Sequence, residues 1–166
     1  MYLIYDTETT GLPKNYNAPL SDGDNWPRLV QLAWQMHDTD GSLVESGNII
    51  IKPDGFDIPF NSEQIHGIST EKALSEGIDL KDALEQFNEV LSRSKIQAGH
   101  NIEFDINVVG AEFYRLYGEQ SLTKVPSIDT KNESTNYCAI PGGRGGKFKW
   151  PKLTELHKKL FDEAFD

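Results

Sequence analysis

The segment Tyr2-Leu3-Ile4-Tyr5-Asp6-Thr7-Glu8-Thr9-Thr10-Gly11-Leu12 decides the fold and carries the first acidic pair. Its apolar and aromatic start is typical of a buried strand. Because side chains alternate along a strand, we expect Asp6 and Glu8 to point to the same face. Two carboxylates that close repel each other, and burying them costs free energy unless a positive charge lies between them. A divalent cation with oxygen ligands is the usual solution, so the segment predicts a metal site.

The bulk composition is that of one globular domain. The chain has 166 residues, and we expect residues 1–166 to form a single domain. No apolar run approaches the ~20 residues of a membrane span, and the first residues do not resemble a signal peptide. The single cysteine, Cys138, excludes an internal disulfide and favours a reducing, cytoplasmic location without a membrane partner.

The charge distribution narrows the class of partner. The net charge is −10, yet residues 144–159 carry six basic residues against one acidic residue. This balance excludes a protein that coats duplex DNA by charge neutralisation. It is compatible with an enzyme that holds nucleic acid through metal ions and a few contacts. Phe148 and Trp150 in the basic segment can stack on a single strand, although a solvated loop is the alternative interpretation.

The periodicity predicts strands first and then helices mixed with short strands, which favours one mixed sheet flanked by helices. The predicted strands are 2–6, 29–36, 44–52, 96–99 and 125–130. The predicted helices are 61–66, 69–74, 79–93, 101–117 and 152–161, with residues 132–149 irregular.

A third carboxylate lies in the predicted helix 101–117. Asp105 falls on an apolar face of that helix, where a lone carboxylate is costly unless it is paired. The apolar residues that share this face are Val108, Val109, Phe113 and Leu116. Alone, Asp105 is better interpreted as a cap or a salt bridge. Together with Asp6 and Glu8, it is better interpreted as a metal ligand.

Three segments, in this order, resemble motifs of the DEDD 3′–5′ exonucleases: Asp6-Thr7-Glu8-Thr9-Thr10-Gly11-Leu12, Ile65-His66-Gly67-Ile68-Ser69 and His100-Asn101-x-x-Phe104-Asp105. The closest group is the proofreading epsilon-subunit type of bacterial DNA polymerase III. The resemblance covers nearly the whole chain. It implies an α/β fold, a ribonuclease H-like mixed sheet flanked by helices, in which the first strand carries Asp6 and Glu8.

The resemblance also implies a reaction. The expected activity is hydrolysis of phosphodiester bonds at a DNA 3′ end with two divalent cations, Mg²⁺ or Mn²⁺. Asp6 is expected to bind both ions, and Glu8 the ion that holds the attacking water. Asp105 is expected to bind the ion at the leaving 3′ oxygen, directly or through water.

Four residues are expected at the substrate, which is a single-stranded or frayed 3′ end, with a DNA polymerase as a possible partner. By resemblance, the backbone at Thr9 and the side chain of Leu12 meet the terminal nucleotide. His66 and Asn101 lie in motifs that line the pocket. The alternatives are core packing for Leu12 and a cap or turn hydrogen bond for His66.

The family pattern further contains a histidine five residues before a fourth carboxylate. After Asp105, the only such spacing is that of His157 and Asp162, but Lys159 stands where the pattern has alanine. We therefore expect His157 to be an ordinary histidine of the last helix and the domain to be truncated before that motif.

Two alternatives to a DNA exonuclease stay open at this point. One is an RNA-trimming 3′–5′ exonuclease, since the carboxylates do not distinguish the two substrates. The other is a catalytically incomplete fragment that binds nucleic acid or a protein partner.

Overall fold

Five strands form one mixed sheet in the computed structural model, which describes residues 1–164. The strand order is β3-β2-β1-β4-β5, which agrees with the predicted mixed sheet. The strands are β1 (Tyr2–Thr9), β2 (Leu29–His37), β3 (Leu43–Ile50), β4 (Ile96–Gly99) and β5 (Ser127–Asp129). The helices are α1 (Phe60–His66), α2 (Thr70–Glu76), α3 (Leu80–Arg93), α4 (Ile102–Tyr117), α5 (Thr130–Glu133), α6 (Thr135–Cys138) and α7 (Leu153–Phe161).

The central strand β1 loses one of its neighbours halfway along. It pairs antiparallel with β2 over its whole length, so that Asp6 lies opposite Ala33. It pairs parallel with β4 only from Tyr2 to Ile4, because β4 ends at Gly99. The edge of β1 beyond Ile4 therefore has no strand beside it on that side. In sheets of this kind, such a split at the ends of parallel strands is where ligands bind.

The core lies on one face of the sheet, under α3 and α4. Leu3 and Tyr5 of β1 are buried on this face. The ring of Phe87 in α3 meets Tyr5 and Trp34 edge-on, with centroids 5.0 and 5.9 Å apart. Gly47 lies opposite Trp34 in β3, where a Cβ atom would be 2.2 Å from the indole ring. Only glycine lets the tryptophan lie across the sheet at this point.

The helix caps and the buried faces of the helices agree in part with the sequence pattern. Ser69 caps α2, since its side chain accepts a hydrogen bond from the Lys72 N–H at 3.0 Å. Asp79 precedes α3 but makes no side-chain capping bond. The region 132–149, predicted to be irregular, contains α6 and the end of α5, each helix being four residues long. Leu116, predicted on the buried face of α4, is 43 % exposed.

No helix among residues 1–164 is long and apolar enough to cross a membrane.

Candidate active site

The alternation predicted for β1 places the first two carboxylates on one side of the sheet. Leu3, Tyr5 and Thr7 are buried against the helices, while Asp6 lies on the opposite face. Glu8 follows on the same side and is partly buried. Asp6 lines an open groove of about 710 Å³ along that face. Other polar residues that line the groove include Gln35, Asn48, His100 and Thr130.

Asp105 reaches β1 from helix α4, at the edge that β4 leaves uncovered. The backbone N–H of Thr7 donates to its Oδ1 at 2.9 Å, and the Thr7 hydroxyl donates to the same oxygen at 2.6 Å. Because α4 begins three residues after β4 ends, Asp105 stands one turn into the helix and directly beside the strand. The side chain is only 3 % exposed. Thr7 thus fixes the third carboxylate next to the first two.

The three carboxyl groups share one electrostatic environment. Burial raises the pKa of Asp6, and the neighbouring His100 lowers it by less. Burial and then the charge of Asp6 raise the pKa of Glu8. The pKa of Asp105 is raised to about 7, first by burial and then by the charge of Asp6, while the Thr7 hydrogen bonds lower it. Asp6 therefore destabilises the ionised form of both other carboxyls, as like charges do at close range.

This donor set fits a divalent cation that keeps part of its hydration shell. The described residues contain no ready-made cluster of three or more His, Cys, Asp or Glu side chains around one point. Mg²⁺ is commonly bound by one or two carboxylates, with waters and substrate phosphates in the remaining positions. Ionised carboxyls that repel one another are the groups that such a cation stabilises. The residues therefore suit a cation whose coordination water and phosphate complete.

His100 and Asn101 form the junction between β4, α4 and the last helix. The Nε2 of His100 lies 3.0 Å from the Pro151 carbonyl oxygen, and its Nδ1 lies 3.1 Å from Thr130 Oγ1. Since a carbonyl only accepts, Nε2 carries a proton in this arrangement. Asn101 has a φ of 73°, and its N–H donates to Asp129 Oδ1 at 2.9 Å. Both residues buttress the start of the helix that carries Asp105.

Thr9 and Leu12 lie in the turn after β1. The Thr9 hydroxyl donates to the Gly11 carbonyl oxygen at 2.7 Å and accepts from the Gly11 N–H at 3.3 Å. This closed turn gives the backbone after Glu8 a defined shape. Leu12 is 72 % exposed, so its alternative interpretation as a core residue is wrong. Its side chain projects into solvent beyond the end of β1.

His66 makes the turn hydrogen bond that the alternative interpretation expected. The N–H of Ile68 donates to His66 Nδ1 at 3.1 Å, which leaves the proton of a neutral ring on Nε2. Burial lowers the pKa of His66, and the nearby Thr9 backbone partly offsets this effect. His66 therefore closes the turn after α1, and its Nε2 is buried without a hydrogen-bond partner among residues 1–164.

His157 takes the place in α7 that the sequence predicted. It is half-buried, and its ring lies 4.8 Å from that of Phe161, one turn further along the same helix. Asp162 ends the helix with a φ of 56° and is exposed.

Sequence reasoning missed a buried ionic cluster two turns further along α4 than Asp105. Glu112 is completely buried. Its Oε1 accepts from Arg28 Nε at 3.0 Å and from the Leu29 N–H at 2.9 Å, and Arg115 lies 3.0 Å away. Glu112 stands seven residues after Asp105, so the same helical spacing that singled out Asp105 also puts Glu112 on the inner face.

This cluster supports the turn that follows β1. The Arg28 carbonyl accepts from the Thr10 N–H at 3.0 Å, and the Arg28 N–H donates to Thr10 Oγ1 at 2.9 Å. The Arg28 guanidinium also lies 4.3 Å from the centre of the Phe56 ring. Glu112 is thereby connected to the turn after β1 through Arg28.

A family model described as exonuclease (RNase_T) matches residues 3–162 of the chain. The chain is 28 % identical to the PolC-type DNA polymerase III of Staphylococcus aureus over 169 aligned positions, which cover 97 % of this chain and 10 % of that protein. It is also 28 % identical to the PolC-type enzyme of Mycoplasmopsis pulmonis, over 79 % of this chain and 8 % of that protein. The chain thus spans about a tenth of the length of these relatives.

Solved structures share the fold. The structure of E. coli Exonuclease I in complex with a dA16 oligonucleotide superposes with a TM-score of 0.74 and 21 % identity, covering 99 % of this chain and 37 % of that one. A second complex of the same enzyme, with a 5cy-dA13 oligonucleotide, gives a TM-score of 0.72. These likenesses confirm the predicted ribonuclease H-like sheet, and the family model decides the affiliation. The chain belongs to the DEDD 3′–5′ exonuclease family.

Proposed function

We propose that this protein is a DNA 3′–5′ exonuclease of the proofreading kind, which removes nucleotides from a single-stranded or frayed 3′ end. The observation that carries the proposal is the shared field of Asp6, Glu8 and Asp105 beside an open groove. The likeness to PolC-type polymerases supports a proofreading role beside a DNA polymerase, as does the epsilon-type motif that contains Asp6 and Glu8. The oligonucleotide complexes of Exonuclease I support a single-stranded DNA substrate.

Asp6, Glu8 and Asp105 would hold two Mg²⁺ or Mn²⁺ ions. Such ions, when bound, lower the pKa of a water molecule and stabilise negative charge on the phosphate. The chain itself supplies the arrangement of the carboxyls. Thr7 orients Asp105 through two hydrogen bonds, and the positive field of His100 favours ionisation of Asp6.

The exposed end of β1 is suited to the terminal nucleotide. The Leu12 side chain is free to lie against a base, and the rigid Thr9 turn presents backbone groups to the sugar. Asn101 lies at the same rim and contacts the Lys131 ammonium through its side-chain oxygen. His66 closes the turn after α1, and its buried Nε2 is available to a nucleotide at this wall.

The fourth carboxylate and the general base of the family pattern are proposed to come from outside residues 1–164. Within those residues the only candidate pair is His157 and Asp162, and His157 packs on Phe161 of its own helix. Asp162 serves as the end of α7. Robust activity of the 166-residue chain that is abolished by His157→Ala would contradict this assignment.

The test of the main proposal is a nuclease assay with defined ends. Single-stranded DNA, a mismatched primer end and RNA of the same sequence are labelled at the 5′ end and incubated with Mg²⁺ or Mn²⁺. We expect a ladder that shortens from the 3′ end of DNA. Asp6→Asn is expected to reduce the rate by about 100-fold or more, since it removes a charge on which transition-state stabilisation depends.

The matched control is Asp40→Asn, at the exposed turn at the opposite end of β2. It should leave the rate unchanged. An Asp6→Asn protein with full activity would contradict the proposed site, and a preference for RNA would replace DNA as the substrate. Where the natural polypeptide extends beyond residue 166, a chain longer by ~20–30 residues, enough for one loop and one helix, should be more active.

A further inference from the structure

An exposed tryptophan lies against a lysine beside the candidate active site. Trp150 is 65 % exposed, and the Lys131 ammonium lies 4.5 Å from the centre of its ring. Large aromatic side chains at this exposure leave a face of the ring open to solvent. The pair therefore offers a flat apolar surface next to a positive charge, which is the combination that binds unpaired nucleotides.

Both members of this pair are anchored on residues of the site. The carbonyl of Pro151, next to Trp150 in the chain, accepts the hydrogen bond of His100, and His100 is near enough to affect the pKa of Asp6. Lys131 contacts the side-chain oxygen of Asn101, which immediately precedes α4. The ring and the ammonium are thus held at the rim of the groove and not on a separate surface.

The loop before Trp150 adds a second ring and further positive charge. Phe148 is 43 % exposed, and Arg144 and Lys147 are exposed in the same loop. The Gly143 N–H donates to the Lys147 carbonyl at 2.9 Å, and the Lys149 N–H donates to the Ile140 carbonyl at 2.9 Å. These bonds close the loop on itself, so that its rings and charges have defined places.

We propose that Lys131, Phe148 and Trp150 form a stacking platform for the single strand that leads to the 3′ end. The inference rests on the proposed exonuclease function. It assigns the nucleotides on the 5′ side of the scissile bond to this platform. Unpaired bases would stack on the two rings, while Lys131 and the loop cations meet the phosphates. Every base has a flat face, so the platform binds without sequence preference.

The charge of the molecule selects a single strand over a duplex. The chain carries a net charge of −10, and residues 144–159 are its basic exception. A duplex would bring two phosphate backbones to an acidic body, whereas a single strand can follow the platform alone. Paired bases, moreover, do not expose their faces to Trp150.

The first experiment measures binding without turnover. Fluorescence anisotropy of 5′-labelled dT4, dT12 and a 12-base-pair duplex is recorded in EDTA for the wild type and for Trp150→Leu. We expect the substitution to weaken dT12 binding by about 5- to 100-fold, the range for loss of one stacked base. Trp150→Phe should recover most of this loss. Equal affinity of wild type and Trp150→Leu for dT12, or tighter binding of the duplex than of dT12, would overturn the platform.

The matched control is Tyr117→Leu, which removes another exposed aromatic ring. Tyr117 ends the 16-residue helix α4, about 24 Å from the end that carries Asn101 at 1.5 Å per residue. It should leave binding unchanged. Lys131→Gln removes a charge without removing the ring, and it should reduce the slope of log affinity against log salt by about 0.7. A slope unchanged by Lys131→Gln would contradict a phosphate contact.

A second substrate separates failure of the platform from failure of the proposed function. The p-nitrophenyl ester of thymidine 5′-monophosphate contains the reacting phosphate but no further nucleotides. We expect Trp150→Leu to hydrolyse it within twofold of the wild type while hydrolysing dT12 more slowly. Loss of both activities to the same extent would refute the platform. Hydrolysis of neither substrate by the wild type, in the 166-residue chain or in the chain longer by ~20–30 residues, despite Trp150-dependent binding, would refute the exonuclease function and leave the binding surface.

Discussion

Asp105 and Glu112 are buried carboxyl groups seven residues apart on the same helix, and their surroundings are opposite. Burial and the negative charge of Asp6 raise the pKa of Asp105 to about 7, although two hydrogen bonds from the neutral groups of Thr7 lower it. Glu112 lies 3.0 Å from nitrogen atoms of both Arg28 and Arg115. Burial is nearly complete for both side chains. The two surroundings therefore differ in the sign of the charge next to each carboxyl group.

Glu112 therefore lies in a complete ionic site, whose positive charges come from the chain, whereas the site of Asp105 is incomplete. Glu112 has its cations built into the chain, and its role is to hold Arg28 and the turn after β1. Asp105 has no such cation among the hydrogen-bond and ion-pair partners recorded for residues 1–164. It is held in place by Thr7 but not neutralised. A carboxyl in that condition is suited to a cation that arrives with the substrate.

The largest expected effect on stability comes from removing the carboxylate of Glu112 from its complete ionic site. Glu112→Ala leaves Arg28 without the carboxylate to which it donates and Arg115 without its ion-pair partner, and both side chains are mostly buried. We expect the free energy of unfolding to fall by about 3–5 kcal/mol, as for other buried ion pairs that lose one partner. Urea denaturation measures the change.

Glu103→Ala is the matched control, because Glu103 is an exposed glutamate near the start of the same helix. It should change stability by less than about 0.5 kcal/mol. Equal effects of the two alanine substitutions would mean that the cluster contributes nothing specific.

The second effect is a pH dependence that arises from Asp105. Because its pKa is raised in the folded protein, the folded state binds more protons than the unfolded state between pH 4 and pH 7. The stability contributed by the protonated group is therefore present below pH 4 and is lost as the pH rises through 7. The rise of the Asp105 pKa from its ordinary value to about 7 corresponds to about 4 kcal/mol.

The check compares metal-free wild type with Asp105→Asn, which keeps an oxygen for both Thr7 bonds. Urea denaturation at pH 4, 5.5, 7 and 8 should show a steeper loss of stability for the wild type. Burial of Asp6 and Glu8 acts in the same direction and is common to both proteins. Parallel pH profiles would rule out a titrating Asp105.

The smallest expected effect is stabilisation by a metal ion, and it should have the opposite pH dependence. A cation binds the ionised carboxyls, so its affinity should increase from pH 5 to pH 8 and binding should release protons. With Mn²⁺ at 100 times its dissociation constant, the gain in stability is about 2.7 kcal/mol. Titration calorimetry in two buffers of different ionisation enthalpy measures the affinity for the ion and the number of protons released.

Two variants test whether this gain belongs to the site. Asp105→Asn should lose most of the affinity for Mn²⁺, whereas Glu112→Gln should retain it. Loss of affinity in Glu112→Gln alone would place the cation at the wrong end of α4.

The sequence was sufficient wherever local periodicity determined the outcome. The alternation along β1 predicted the common face of Asp6 and Glu8, and helical spacing predicted that Asp105 is buried. The hydrogen-bond partners of the buried side chains could not be predicted from the sequence. Thr7 binds a residue 98 positions away, and Glu112 binds the backbone of a residue 83 positions away. Propensity and periodicity carry no information about such contacts. The exposure of Leu12 was unpredictable for the same reason, since it depends on what the chain places beyond the end of β1.

The early end of β4 has a consequence for the order in which the molecule folds. Parallel pairing of β1 and β4 stops at Ile4, so the half of β1 that carries Asp6 and Glu8 is joined to α4 through the side chain of Asp105 and not by a strand ladder. Closing a loop of nearly a hundred residues has an entropy cost that local helix formation does not have. We expect the helices and the β2–β3 hairpin to form first and the amide of Thr7 to gain protection late. The acidic residues then come together only after the hydrophobic core can hold them against their mutual repulsion.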